Sequence, residues 1–528
     1  MVKKLGLMIL GLATLLGMPA FAQMPEASIS SGSGDTHYLA RPHIIGGSIW
    51  GTDESNGIAT ASGSTIRREN SDRYTDETNV LDYGAKPSPS FDNTAAFQSA
   101  IDAACNKVRK SSGGTYVPQG SDLAGGDVFV PQGTYGLIGP VNWTCAVRLR
   151  GAGPGTTKIA WIAGPNRQGI LFNMLAPLTD SNRYWYNGAI HDLNIANIGS
   201  QPGTMIRIAH CAQCDIYNIM TWGAYRSVVV FAGMFNHIHD FQFQQGHEQV
   251  VNGAPNDTET LSTAIEFFGS DNKGAPGCTA SDNGNCPTRA DGLSIFDGTI
   301  TAALDGHHEA TDCIFVHDFA ATMWLKNVAC AQTRNGLNVR CDHSTAINNC
   351  PQFLDLDRFE TETNNTAGTN TTYNLTADNF GHIECRACEF YQSQAGDHNV
   401  VLSATRFSAG NFQWFGGKIQ KALKSCIVAY ASGVQFFGGE ILDCGQGRDL
   451  SERWGIQFIG STNNSIIGTQ FCHDGVGGTS GTMRPVMIDR GSSYTIVNSD
   501  NVHNCAGPSR IFTGPLAKTN SIVNEVGP

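Results

Sequence analysis

Paired carboxylates are the first candidates for chemistry. Phe353-Leu354-Asp355-Leu356-Asp357-Arg358-Phe359-Glu360 alternates as a strand does, turning Leu354 and Leu356 to one face and Asp355 and Asp357 to the other. Residues two apart on a strand face are about 6.6 to 6.8 Å apart. This is near the lower edge of the roughly 6.5 to 9.5 Å at which inverting glycosidases seat a water between acid and base. Carboxylates at one position of neighbouring strands would stand about 5 Å apart, the retaining distance. Asp297, Glu389 and Glu440 offer partners of that kind. Asp355, Asp357, Glu360 and Asp297 are therefore the catalytic candidates. Arg358 and Lys326 are the cations suited to hold substrate, and Trp414, with Phe437 and Trp454, could supply a flat face for a sugar ring. Outward strand positions are also polar for solubility alone, and Glu389, Lys418 and Glu440 read equally as an alternating charge ladder.

Histidines come second. His237, His239, His247-Glu248 and His307-His308-Glu309 cluster, but at no tight metal-binding spacing. Cys211-x-x-Cys214 and Cys385-x-x-Cys388 do have metal-ligand spacing, yet neither has a flanking His pattern, so bonded or buried sulfur is preferred to zinc. A hydrolase of this kind needs no cofactor. A lyase would want Ca²⁺ held by carboxylates and an Arg or Lys base, for which Arg358 and Lys326 are available.

Such residues need a frame, and the chain repeats one. After Ile159, apolar segments start at Met205, Val228, Ala264, Ile314, Leu337, Val400, Ile427, Ile456 and Val486, several of them 23, 23, 27, 29 and 30 residues apart. Second segments follow within each repeat, among them Cys214–Ile219, His237–Phe243, Met323–Val328, Phe412–Ile419 and Val434–Ile441. The last two share Phe-Gly-Gly-x-Ile. A period of that size describes coils of a parallel β-helix, each burying its apolar face on the next. Long Gly/Asn/Asp-rich inserts, between Phe268 and Leu293 and between Glu360 and Gly381, are expected to wall a groove.

Upstream lie Asp82-Tyr83-Gly84-Ala85, a helix signal around Thr94-Ala95-Ala96-Phe97-Gln98, then Val130-Pro131-x-Gly133-x-Tyr135 and Arg150-Gly151-Ala152-Gly153. Asp92 or Asn93 can cap that helix, and Phe97, Ile101 and Ala104 share one face. This order resembles the opening of the pectate-lyase-like right-handed β-helix superfamily, which includes rhamnogalacturonase-like, epimerase-like and phage tailspike-like domains. Lys86-Pro87-Ser88-Pro89-Ser90-Phe91 departs from it, replacing the usual Gly-Asp-rich turn. The resemblance implies an all-β fold, a single-stranded right-handed parallel β-helix (a pectin-lyase-like solenoid) with a short N-terminal capping helix. It does not extend to catalytic signatures. The Asn-Thr-Asp, Asp-Asp, Gly-His-Gly and Arg-Ile-Lys set of polygalacturonases is missing, as is the Arg-x-x-Arg region of calcium pectate lyases.

Residues 1–22 read as a secretory signal: Lys3 and Lys4, an apolar run, then Ala20-Phe21-Ala22. Residues 23–75 read as a loosely ordered extension with Ile44-Ile45 and Ile49-Trp50 as its apolar anchors, and 76–528 as the β-helix. Export to a bacterial periplasm or medium suits the 16 cysteines. Cys105 with Cys145, Cys278 with Cys286 and Cys426 with Cys444 are the expected bridges. No run after the signal approaches the roughly 18 apolar residues of a membrane span. A net charge of −12 disfavours nucleic acid and anionic membrane. The expected partner is a polysaccharide, cleaved by hydrolysis. Elimination or epimerisation of a uronic-acid polymer, or non-catalytic carbohydrate binding, stand as alternatives, and the oligomeric state is not legible.

Overall fold

The computed structural model describes residues 77–106, 124–143, 145–162, 169–175, 185–199, 203–245, 262–269, 289–301, 311–341, 349–364, 372–394, 397–406, 410–446, 453–471, 484–489 and 492–499, with the strand backbone of a few short segments outside them. Contacts divide the chain into Met1–Ser71 and Asp72–Pro528. In the first unit His43–Ile45 pairs antiparallel with Ser48–Trp50, placing Ile44 opposite Ile49.

The second unit opens with strand Glu77–Asn79, a turn at Val80–Tyr83 and helix Thr94–Asn106. The helix begins where its polar residues require. The Phe97 amide donates to the Asn93 carbonyl at 3.0 Å, and the Thr94 amide donates to Asp92 Oδ1 at 3.0 Å. Phe97, Ile101 and Ala104 are fully buried, so the helix covers the apolar end of the first coils. The expected Cys105–Cys145 disulfide ties it there.

Most of the strands described form two parallel sheets, of 22 and 13 strands, the larger including Glu77–Asn79 ahead of the helix. Each first segment read from the sequence lies in the smaller sheet, from Thr204–Ala209 through Ser262–Phe268 and Thr311–His317 to Arg484–Asp489. The second segments lie in the larger one. The winding is right-handed, and coil stacks on coil in register. One inward column runs Ile190, Ile216, Ile238, Ile295, Leu325, Leu356, Cys385, Trp414, Phe436, Ile466, every member at most 1 % exposed. Neighbouring strands are about 4.8 Å apart, so each of these side chains rests directly on the next.

In the larger sheet a sharp corner interrupts each coil. Asp192, Asn218, Asp240, Asp297, Asn327, Arg358 and Ala387 occupy it in turn, all left-handed with φ between 49° and 58°, followed by Gly416, Gly438 and Gly468. Asn and Asp tolerate this conformation and glycine adopts it freely. The Phe-Gly-Gly-x-Ile echo has its cause here. Gly416 and Gly438 make the corner, and a Cβ on the next residue, Gly417, would overlap the Cys388 carbonyl oxygen of the preceding coil. Gly417→Ala is expected to lower stability by more than about 1 kcal/mol, read as a reduced denaturant midpoint at unchanged slope.

Among the described residues six disulfides form. Cys426–Cys444 matches expectation, and both Cys-x-x-Cys pairs are disulfides rather than metal ligands. Cys278 and Cys286 lie outside the described residues, as do His247, His307 and His308 and much of the two long inserts.

Candidate active site

The left-handed corner is the ridge on which the site is built. On one side of it stands the outward face that carries Asp355 and Asp357. Their neighbours on adjacent coils are set by register: Trp324, Asp355 and Glu384 form one column, and Lys326, Asp357 and Arg386 the next. Arg386 joins the columns, its Nη1 donating to Asp355 at 2.9 and 3.2 Å and its Nε to Glu384 at 2.8 Å. Burial alone would lower the pKa of Arg386, but Asp355 and Glu384 outweigh it and hold the guanidinium above its ordinary value. Asp357 is ringed by cations: Lys326 and Arg386 flank it in register, and Arg358 Nε lies 3.7 Å away. Asp355 is therefore engaged at hydrogen-bond distance, whereas Asp357 has a longer ion pair to the exposed Arg358.

On the other side of the ridge lies a groove of about 490 Å³ lined by Phe241, Asp297, Gly298, Thr299, Asn327, Val328, Ala329, Arg358 and Glu360. Three sequence candidates meet in it. Asp297 and Arg358 come from the corner, two coils apart, with Asn327 between them donating to Asp297 Oδ1 at 2.8 Å. Glu360 stands two residues past Arg358, in a column with Thr299 and Ala329. Small residues make the floor, and Gly298 leaves room for the Phe241 ring, which a Cβ there would strike. Arg358 is the long cation at a corner position otherwise held by short residues or glycine, so its exposed side chain overhangs both the groove and Asp357.

The sequence placed some of these groups differently. Asp297 is not the same-column partner of the Asp355 and Asp357 strand that the sequence suggests. Register instead puts Phe296 in the Asp357 column and Asp297 on the corner, because the left-handed residue shifts the alternation by one. Glu360 does face Glu389 on the next coil, and Glu389, Lys418 and Glu440 continue that column as the alternating charge ladder. Trp414 is corrected outright: it is fully buried in the inward column, so its ring cannot meet a sugar. The exposed aromatics near the site are Trp324 (39 %), Phe353 (36 %) and Phe415 (37 %). Strand alternation carried that signal, since Trp324 shares parity with Lys326 while Trp414 shares it with Phe412.

Glu384 and Arg386 were also missed, although His382-Ile383-Glu384-Cys385-Arg386 alternates around buried Ile383 and Cys385. The sequence histidine His239 is fully engaged. It stacks between Tyr217 and Phe296, with Nδ1 2.7 Å from Asp240 and Nε2 3.3 Å from Asp215. No group of three metal-ligating side chains occurs among the described residues. On the smaller sheet Asp312 is completely buried, which pushes its carboxyl up despite hydrogen bonds from Asn338 and Asn335. At 1 % exposure it is out of reach of a polymer.

The fold defines a class. The chain is a right-handed parallel β-helix, and its residues 77–197 match the family described as Rhamnogalacturonase A/epimerase, pectate lyase-like. Its structure is similar to tailspike protein 3 of bacteriophage CBA120 (TM-score 0.51, 12 % identity, 87 % of this chain and 64 % of that one). Similarity extends to the Streptococcus pneumoniae surface adhesin PfbA (0.47, 14 %, 84 % and 99 %). It extends also to the catalytic unit of a GH87 α-1,3-glucanase from Streptomyces thermodiastaticus (0.47, 12 %, 85 % and 69 %). Identities this low establish the fold alone. No curated protein matches the chain in sequence. No helix among the described residues is long and apolar enough to cross a membrane.

Proposed function

We propose that this chain is an exported polysaccharide-cleaving enzyme, a glycoside hydrolase that works in the groove beside the corner ridge. The observation that carries the reading is the meeting of Asp297, Glu360 and Arg358 in one concave site with a small-residue floor. Glu360 has no ion pair in the described structure and is the proton donor to the glycosidic oxygen. Asp297, oriented by the Asn327 amide, is the base that activates water. Arg358 and Lys326 bind substrate polar groups, and Trp324 offers a ring face nearby. Asp355 and Asp357 keep a secondary part, holding Arg386 and Arg358 in place. The six disulfides belong to an oxidising compartment, which supports action outside the cytoplasm. The matched family's description, a rhamnogalacturonase and an epimerase, is in keeping with a carbohydrate substrate.

Two coil steps, about 9.6 Å along the axis, separate the coils that carry Asp297 and Glu360, and Glu360 lies two residues further along its strand, so their backbones are more than about 9.6 Å apart. That is well beyond the roughly 5 to 5.5 Å of retaining enzymes and leaves room for a sugar and a water. Cleavage is therefore expected to invert the anomeric configuration, read by proton NMR of the first products. The test is a panel of acidic and neutral polysaccharides followed by reducing-end release and by absorbance of unsaturated products. Reducing ends without that absorbance support hydrolysis. Both signals together mean elimination, and binding with neither overturns the enzyme reading in favour of an adhesin.

A further inference from the structure

A second cluster of charge lies on the smaller sheet, away from the groove. Glu266 points outward from strand Ser262–Phe268 yet is only 7 % exposed. Its Oε1 is 3.1 Å from Nε2 of His317, on the neighbouring strand Thr311–His317, and its Oε2 is 2.9 Å from Arg226 Nε on the strand before, Arg226–Phe231. The other ring nitrogen of His317, Nδ1, lies 3.2 Å from Asp318 Oδ2. Phe268 and Phe315 both stack on the imidazole, at 4.5 and 4.3 Å between centroids. From the following coil Arg340 is in register with His317 and sits over the Phe315 ring at 5.0 Å. Both imidazole nitrogens thus face carboxylates, a geometry that, with both carboxylates ionised, only the doubly protonated ring satisfies.

We propose that Arg226, Glu266, His317 and Asp318 form a proton-dependent clasp that holds three consecutive coils together in mildly acidic surroundings and loosens them as the surroundings turn alkaline. Register makes the three strands successive: Val228, Ile265 and Ile314 stack beneath the clasp. When His317 loses its proton, Nδ1 or Nε2 becomes an acceptor facing a carboxylate, and Glu266 keeps a single cation for a buried charge. At Nε2 this makes the contact to Glu266 across the coil boundary repulsive; at Nδ1 it does so to the Asp318 contact, and the bond to Glu266 that remains loses its charge assistance.

The electrostatics agree in sign. Burial works against the charged form of His317, but its hydrogen bonds to Asp318 and Glu266 and their charges outweigh burial and raise its pKa. Its contribution to stability is complete below the ordinary histidine value, about 6.5, and is lost as pH rises through the raised folded value. Burial likewise opposes ionisation of Glu266, but the His317 hydrogen bond and the Arg226 charge prevail and lower its pKa. Its contribution is present above the ordinary glutamate value and lost as pH falls through the lowered one. The clasp is fully closed between the two, at mildly acidic pH.

Hydrogen exchange on the intact protein tests this. After correction for intrinsic exchange, amide protection in Arg226–Phe231, Ser262–Phe268 and Thr311–His317 should fall about tenfold or more between pH 6 and pH 9. Trp454–Ile459, on the same sheet but remote from the clasp, should change little. In His317→Gln the three strands should show no such pH dependence. If that variant does not fold, the wild-type comparison decides alone. Equal protection at both pH values, or loosening of every coil alike, overturns the clasp.

Discussion

Glu360→Gln is expected to cut polysaccharide cleavage by about a thousandfold, within the 10² to 10⁴ range that a positioned general acid contributes. The substitution keeps the side chain's shape and removes its proton. Glu360 is outward and exposed, so stability should move by no more than about 0.5 kcal/mol. Loss of rate without loss of melting temperature is the signature to look for, on whichever polymer the panel selects. Asp355→Asn is the matched control. Its partner Arg386 is about half exposed, so breaking their pair should cost at most about 1 kcal/mol and leave most of the activity. The reverse outcome, an active Glu360→Gln and an inactive Asp355→Asn, would move the chemistry across the ridge to the Asp355, Asp357 and Glu384 face.

Trp414→Ala should destabilise the β-helix by about 3 to 5 kcal/mol, the range for removing a fully buried large aromatic side chain. Its ring sits between Cys385 and Phe436 in the inward column and meets Phe390 edge-on at 5.3 Å, so the cavity left behind has walls on neighbouring coils. Trp324→Ala removes a ring that is 39 % exposed and should cost far less stability. If Trp324 is a sugar platform, that variant weakens polysaccharide binding at an unchanged fold. Denaturant unfolding and binding isotherms separate the two tryptophans, and a stable Trp414→Ala that has lost binding would contradict the core assignment.

Much of the architecture was legible before any coordinates. A recurring apolar pair at the length of one coil admits few ways to bury itself, and the starts at Met205, Val228 and Ile314 all fall in one sheet for that reason. The capping helix was legible because its N-terminal acceptors and apolar face are local features. Individual sites were less so. Asp297 and Trp414 show why: a left-handed corner residue offsets strand parity, and whether a given position faces in or out depends on where that corner falls.

The sequence by itself determined the coil period, the apolar columns and the helical cap, since each follows from neighbours in the chain or from a repeat; which cysteines pair was decided by the fold, although Cys105–Cys145 and Cys426–Cys444 match the pairs expected. Tertiary structure alone decided which carboxylates share a space. Residues 297 and 360 meet because two turns of the solenoid carry the chain only about 9.6 Å along its axis. By the same register Arg386 reaches back 31 residues to claim Asp355, and Glu266 finds His317 51 residues away. Coil length varies from turn to turn, so such partnerships are set by stacking, which no local pattern encodes.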